Sequence, residues 1–117
     1  MLHEYEGSLG GETLQGVAIY GYNQARGRFE AAWVDSFHNG SALMYSVGAG
    51  EPAPSRTQLF SALGSYPDPT GGPDWGWRTV IEQPDPDHLT ITMYNITPDG
   101  QEDLGVETQY TRVESST

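Results

Sequence analysis

The sequence predicts an all-β protein, folded as an antiparallel meander that forms a barrel or a sandwich. Its 15 glycines and 8 prolines divide the chain into short segments. No segment of helical length shows the 3.6-residue apolar repeat of an amphipathic helix. Short strands at regular spacing, with turn residues between them, are typical of barrels and sandwiches. The predicted strands cover residues 2–6, 13–20, 28–36, 41–48, 57–63, 75–82, 88–96 and 104–113.

Three turns predict that consecutive strands form hairpins. Asn39-Gly40 favours the positive φ angles of a two-residue type I′ turn. Residues 97–101, TPDGQ, place proline and glycine where a hairpin with a bulge needs them. Residues 23–28 form a short loop that Gly27 closes. Consecutive hairpins make a meander, and the proline- and glycine-rich residues 48–55 and 66–74 are expected to be loops.

The Asn39-Gly40 turn also predicts which strand face is buried. A two-residue turn there puts His38 opposite Ser41, and therefore Trp33 opposite Ser46. One face of this hairpin holds a single charge, whereas the other carries Glu30 and His38, and burying an unpaired charge is costly. The predicted interior face carries Phe29, Ala31, Trp33, Asp35, Phe37, Ala42, Met44, Ser46 and Gly48.

Asp35 is the candidate polar residue of that interior. The hairpin at residues 97–101 is expected to point Tyr94, Tyr110 and Arg112 inward together. An inward carboxylate needs an opposite charge and hydrogen bonds, so Arg112 is the expected partner of Asp35. Two interpretations of this pair stay open: it forms the polar end of a ligand cavity, or it is a buried ion pair that closes the barrel.

Aromatic residues supply the rest of the candidate site. Trp75 and Trp77 lie on one face of their predicted strand. Together with Trp33 they either fill the barrel or line a hydrophobic pocket. The predicted ligand-binding residues are Trp33, Asp35, Met44, Trp75, Trp77, Tyr94, Tyr110 and Arg112.

Composition narrows the function classes. The 117 residues, 1–117, are expected to form one domain. A net charge of −11 opposes binding to nucleic acid and to anionic membranes. The three histidines are scattered and are expected to be solvated, and the chain has no cysteine. We therefore expect no metal site. No catalytic motif and no cofactor-binding motif is present. The N-terminus lacks a signal-peptide pattern, which predicts a cytoplasmic protein.

Four short motifs, in this order, resemble those of a family of small bacterial proteins of unknown function. They are GYN at 21–23, WVDS at 33–36, PDGQED at 98–103 and YTR at 110–112. The family pattern has Asp where this chain has Asn23. The resemblance implies a lipocalin-like, calycin-type barrel with no established activity. Relative to that family one or two N-terminal strands are expected to be missing, which would leave sheet edges that a homodimer could cover.

The leading hypothesis is a non-enzymatic barrel that binds an apolar or amphipathic small molecule. The alternative is a structural or assembly module with a packed interior that acts through homodimerisation. A weaker third hypothesis is an enzyme that uses Asp35 and Arg112.

Overall fold

The computed structural model describes residues 1–9, 11–36, 43–48, 57–68 and 70–113, and in these ranges the fold is all-β. All the strands belong to one antiparallel sheet and lie in it in chain order. The predicted meander is therefore confirmed, with strand ends that differ by a few residues. The strands are β1 (Leu2–Leu9), β2 (Glu12–Asn23), β3 (Arg28–Asp35), β4 (Met44–Val47), β5 (Gln58–Tyr66), β6 (Trp75–Asp85), β7 (His88–Ile96) and β8 (Glu102–Thr111).

Two of the predicted turns form as expected. Between β2 and β3, Gly27 has a φ of 63°, and the amide of Arg26 donates a hydrogen bond to Oδ1 of Asn23 at 3.1 Å. Between β7 and β8, Gly100 has a φ of 94°, and its amide donates to the carbonyl of Thr97 at 2.9 Å. The Asn39-Gly40 turn and residues 49–55 of the predicted loop lie outside the described residues.

One face of the sheet, called here the inner face, carries the hydrophobic core. On β3 its residues Phe29, Ala31 and Asp35 are buried, whereas Glu30 lies on the opposite, outer face. The predicted interior face of this strand is therefore confirmed. The core is one cluster made of Phe29, Ala31, Phe60, Ala62, Ile81 and Ile91.

The predicted register of β3 with β4 was wrong by two residues. Trp33 pairs with Met44, and Ala31 pairs with Ser46, where the prediction put Trp33 opposite Ser46. A shift of two residues keeps every side chain on its own face because the side-chain period of a strand is two. Ser46 is accordingly buried and Met44 partly buried, as the interior face requires.

The predicted faces of β7 were wrong because the register between β7 and β8 shifts. Tyr94 pairs with Leu104 but Met93 pairs with Val106, so Gly105 is an extra residue in β8. A bulge of this kind changes which residues share a face. Tyr94 therefore lies on the outer face opposite Arg78, and Ile91 enters the core.

The sheet curls over its inner face into a half-barrel. Strands that are not neighbours touch through their rings: the ring centroids of Tyr20 and Phe60 are 5.1 Å apart, and those of Trp33 and Trp77 are 6.1 Å apart. Eight strands in a flat sheet would hold β1 and β8 about 34 Å apart. Here a side chain of β1 touches one of β8, although no backbone pairing joins the two strands in the described chain. The gap between them is called the seam.

Candidate functional site

Four aromatic side chains meet on the inner face beside the seam. The seam cluster consists of His3 and Tyr5 from β1, Tyr20 from β2 and Tyr110 from β8. The His3 ring is the centre of the cluster, with centroids 5.2 Å from Tyr5, 6.3 Å from Tyr20 and 5.5 Å from Tyr110. The cluster combines apolar ring faces with polar tips, which suits an amphipathic ligand.

A side-chain hydrogen bond crosses the seam. Nε2 of His3 lies 2.9 Å from the hydroxyl of Tyr110, and the two rings meet edge to face. The other ring nitrogen of His3, Nδ1, is buried and finds no hydrogen-bond partner in the described chain. A buried polar atom without a partner loses the hydrogen bonds that it makes in water, so the cluster holds an unsatisfied polar group.

Burial shifts the pKa values of the seam cluster in the direction that favours the neutral side chains. Burial raises the pKa of Tyr20 to about 12 and also raises the pKa of Tyr110. The pKa of Tyr5 is raised further, first by burial and then by its hydrogen bond to Asp35. Burial lowers the pKa of His3, so its neutral form is favoured. A ligand at the seam would therefore meet neutral donors and acceptors.

Tyr5, Gly16 and Asp35 form a row across β1, β2 and β3. Tyr5 pairs with Gly16, and Gly16 pairs with Asp35. Since Gly16 has no side chain, the Tyr5 ring lies across β2, and its hydroxyl donates a hydrogen bond to Oδ2 of Asp35 at 2.8 Å. Asp35 is only 4% exposed, so this bond helps to satisfy a buried carboxylate.

The predicted ion pair between Asp35 and Arg112 was wrong. The guanidinium of Arg112 donates to the carbonyl of Pro86 at 3.0 and 2.9 Å and lies 3.7 Å from Asp87. Its side chain is 63% exposed, beside the turn between β6 and β7. The physical reason is that Arg112 follows the end of β8, the last strand of the sheet, whereas Asp35 lies on the inner face near Tyr5.

A second aromatic group, the tryptophan cluster, consists of Trp33, Tyr66 and Trp77. The Trp77 ring lies 6.1 Å from each of the other two rings. Trp77 is 3% exposed, and no described residue accepts a hydrogen bond from its Nε1. Gly64 lies directly beneath the Trp77 ring, and a Cβ there would overlap it.

The structure separates the predicted ligand-binding residues into three groups. Tyr94 is on the outer face and Arg112 is at the β6–β7 turn, so these two do not join the others. Tyr110 belongs to the seam cluster. The remaining predicted residues share the inner face: Trp33, Asp35, Met44, Trp75 and Trp77.

Sequence reasoning missed His3, Tyr5, Gly16 and Tyr20. His3 was expected to be solvated, yet it is partly buried and contacts Tyr110. The available indication was the alternation of residues 2–6, which places His3 and Tyr5 on the face opposite Glu4 and Glu6.

Two depressions flank the seam cluster. The larger has a volume of about 620 Å³, and Tyr5, Gly16 and Asp35 contribute to its wall. The smaller has a volume of about 230 Å³, and Leu89 and Tyr110 contribute to its wall. Each depression therefore shares at least one residue with the seam cluster.

Two further features are absent from the described residues. No group of three or more His, Cys, Asp or Glu side chains there is placed to hold a metal ion. The same part of the chain contains no helix that is long and apolar enough to cross a membrane.

Residues 1–112 match a protein family described as "Protein of unknown function (DUF1579)". The chain belongs to this family. The DUF1579 description names no activity, ligand or fold, so the lipocalin-like resemblance stays a prediction. Neither the curated proteins nor the solved structures include a match to this chain.

Proposed function

We propose that the half-barrel binds a small, uncharged, amphipathic molecule on its inner face at the seam. The observation that carries the proposal is the seam cluster, in which neutral polar tips and apolar ring faces meet beside an opening in the sheet. Binding sites for small molecules combine apolar walls with a few placed polar groups. The cluster has this composition.

The seam is the expected entry route for the ligand. In the described chain β1 and β8 are joined by side chains and not by a backbone ladder. One hydrogen bond contributes about 0.5–1.5 kcal/mol net, so displacing the contact between His3 and Tyr110 costs little. A hydrogen-bonding group of the ligand would either take the place of Tyr110 at Nε2 of His3 or satisfy Nδ1 on the other side of the ring.

The ligand would be uncharged because the four side chains of the seam cluster are neutral and three of them, His3, Tyr5 and Tyr20, are partly buried. Burial disfavours ionised Tyr20 and protonated His3, and the same desolvation would disfavour an ionised ligand group. An alcohol, ester or aldehyde on an apolar body fits this environment better than a carboxylate. Retinol therefore is a better probe than retinoic acid.

Titration of the protein with retinol, followed by energy transfer from tryptophan to the probe, tests the proposal. Tyr110→Ala removes a seam ring and is expected to weaken binding at least tenfold. Tyr94→Ala is the matched control, because Tyr94 lies in the same hairpin on the outer face, and it is expected to change the affinity less than twofold. Thermal unfolding of both variants checks that they fold.

Two results would overturn the proposal. One is the absence of saturable binding of retinol at about 100 µM, since an apolar site of this kind should bind more tightly than that. The other is an equal loss of affinity in Tyr110→Ala and Tyr94→Ala, which would place the probe elsewhere.

A structural role is the second candidate function. It is favoured by the centre of the inner face, where Phe29, Phe60 and Ile81 pack together and each is at most 2% exposed. A module of this kind would act through self-association and would need no ligand. Failure of every apolar probe, together with a stable oligomer, would favour this role.

A further inference from the structure

The outer face of the first four strands carries a continuous apolar row. Leu2 pairs with Ile19, Ile19 pairs with Ala32, and Ala32 pairs with Tyr45. Leu2, Ile19 and Tyr45 are 61%, 59% and 63% exposed. A row at right angles to the strands forms only when all four strands place an apolar residue on the same face at the same register. It therefore differs from the scattered apolar exposure that any protein surface shows.

Neighbouring residues widen the row into a patch. Leu43 and Val47 are 58% and 38% exposed, and Val17 and Val34 are partly buried beside them. No member of this set is acidic or basic. The outer apolar patch consists of Leu2, Val17, Ile19, Ala32, Val34, Leu43, Tyr45 and Val47.

We propose that the outer apolar patch is the interface of a homodimer, in which two copies of this chain pack sheet against sheet. The proposal holds whether or not the inner face binds a ligand, because alternate residues of a strand point to opposite faces. Two sheets that pack face to face lie about 10 Å apart and bury their facing side chains.

The area of the patch is sufficient for a weak, specific dimer. Its exposed side chains present roughly 600 Å² per copy, so pairing two copies removes roughly 1,200 Å² from water, the low end of stable protein interfaces. Patches of more than a few hundred Å² on monomers are commonly binding surfaces.

Charges at the two ends of the patch favour a second copy. Glu4 and Glu6 lie at one end, on β1. The other end, at the start of β3, carries Arg26, Arg28 and Glu30 and keeps a net positive charge, although Glu30 lies 3.8 Å from Nε of Arg28. A two-fold axis parallel to the apolar row brings the acidic end of one copy to the basic end of its partner. This complementarity matters because each copy carries a net charge of −11, and like charges elsewhere repel.

Sedimentation velocity across a concentration series tests the interface. The wild-type chain is expected to form dimers with a dissociation constant of about 1–100 µM, given the small area. Ile19→Asp places two carboxylates in the apolar interface and is expected to weaken the dimer at least a hundredfold. Leu104→Asp is the matched control, because Leu104 is equally exposed, at 60%, on the outer face of β8 outside the patch.

A charge substitution tests the orientation of the two copies. Glu4→Arg is expected to weaken the dimer about tenfold at low salt, because it places a positive charge opposite the net positive end of the partner copy. A wild-type chain that stays monomeric at about 500 µM overturns the proposal. A dimer that Ile19→Asp leaves intact also overturns the proposal. If the chain is instead a monomer that binds lipid vesicles through this patch, the occupant of the patch is a lipid surface.

Discussion

Gly16→Ala is the most direct test of how the inner face is built. A Cβ at Gly16 would overlap the ring of Tyr5 and come within 2.6 Å of its Cε1. The backbone tolerates alanine, since Gly16 is not among the glycines with a positive φ. The substitution therefore acts on one side chain only: it forces the Tyr5 ring away from β2 and from Asp35.

The expected loss of stability comes from the broken hydrogen bond and not from the steric overlap. The Tyr5 ring is the end of a flexible, partly buried side chain, so it can swing aside. This hydrogen bond to Asp35, a carboxylate that is 4% exposed in the wild type, is then lost. A hydrogen bond to a charged group contributes about 1.5–3 kcal/mol, so we expect a loss of about 2 kcal/mol in the free energy of unfolding. That corresponds to a drop of roughly 10 °C in the melting temperature for a chain of this size.

Urea unfolding of the wild type and four variants separates this explanation from others. Gly21→Ala is the control, because Gly21 lies on the same strand with nothing within 4 Å of the added Cβ, and it is expected to be neutral or slightly stabilising. In a Tyr5→Ala background, Gly16→Ala is expected to cost less than about 0.5 kcal/mol, because the displaced ring is already gone. Equal stabilities for Gly16→Ala and Gly21→Ala, or full additivity with Tyr5→Ala, would refute the reasoning.

Three further substitutions have defined outcomes. Gly64→Ala is expected to destabilise by about 3 kcal/mol and to change tryptophan fluorescence, because the Trp77 ring above it is buried and a backbone carbonyl lies 2.6 Å from the added Cβ. Burial lowers the pKa of His3 below 6.5, so its contribution to stability is complete above pH 6.5 and is lost as the pH falls below that value. The difference in unfolding free energy between wild type and His3→Gln should therefore shrink from pH 7.5 to pH 5. Arg112→Ala should lower the free energy of unfolding by less than about 1 kcal/mol, as for an exposed ion pair, and a larger loss would contradict the exposed position of Arg112 beside Asp87.

Local sequence patterns were sufficient for the strands and for the buried face of β3. Turn residues such as Gly27 and Gly100 adopt the positive φ that their turns require, so strand limits follow from short-range chemistry. The interior face follows from the contrast between Phe29 and Glu30, because desolvating an unpaired charge costs more than exposing an apolar ring. Both arguments use only residues close in sequence.

Register was harder to predict because it depends on a single residue in the partner strand. Gly105 shifts the pairing of β8 against β7 and moves Tyr94 to the outer face. An isolated glycine within a strand is compatible with a bulge, but alternation in β7 alone does not show where one falls. The apolar residues Leu89 and Ile91 were the contrary indication, since they needed an interior face.

The seam could not be predicted from local patterns at all. His3 and Tyr110 are separated by 107 positions in sequence and meet only because the sheet curls. Alternation assigns each of them to a face, but the curvature decides which distant strands touch. The same limit explains the wrong partner for Asp35: Arg112 and Tyr5 were both possible by face, and only the path of β1 beside β2 selects Tyr5.

The two proposed surfaces can be tested independently because they use alternate residues of the same strands. On β2, Ile19 belongs to the outer apolar patch and Tyr20 to the seam cluster, although they are adjacent in sequence. A substitution that acts through general unfolding would weaken both dimerisation and ligand binding. If Ile19→Asp abolishes the dimer and preserves retinol binding, while Tyr20→Ala does the reverse, then the outer and inner faces of the sheet carry separate functions. If either variant loses both activities while its thermal unfolding is unchanged, ligand binding and assembly are coupled through β2.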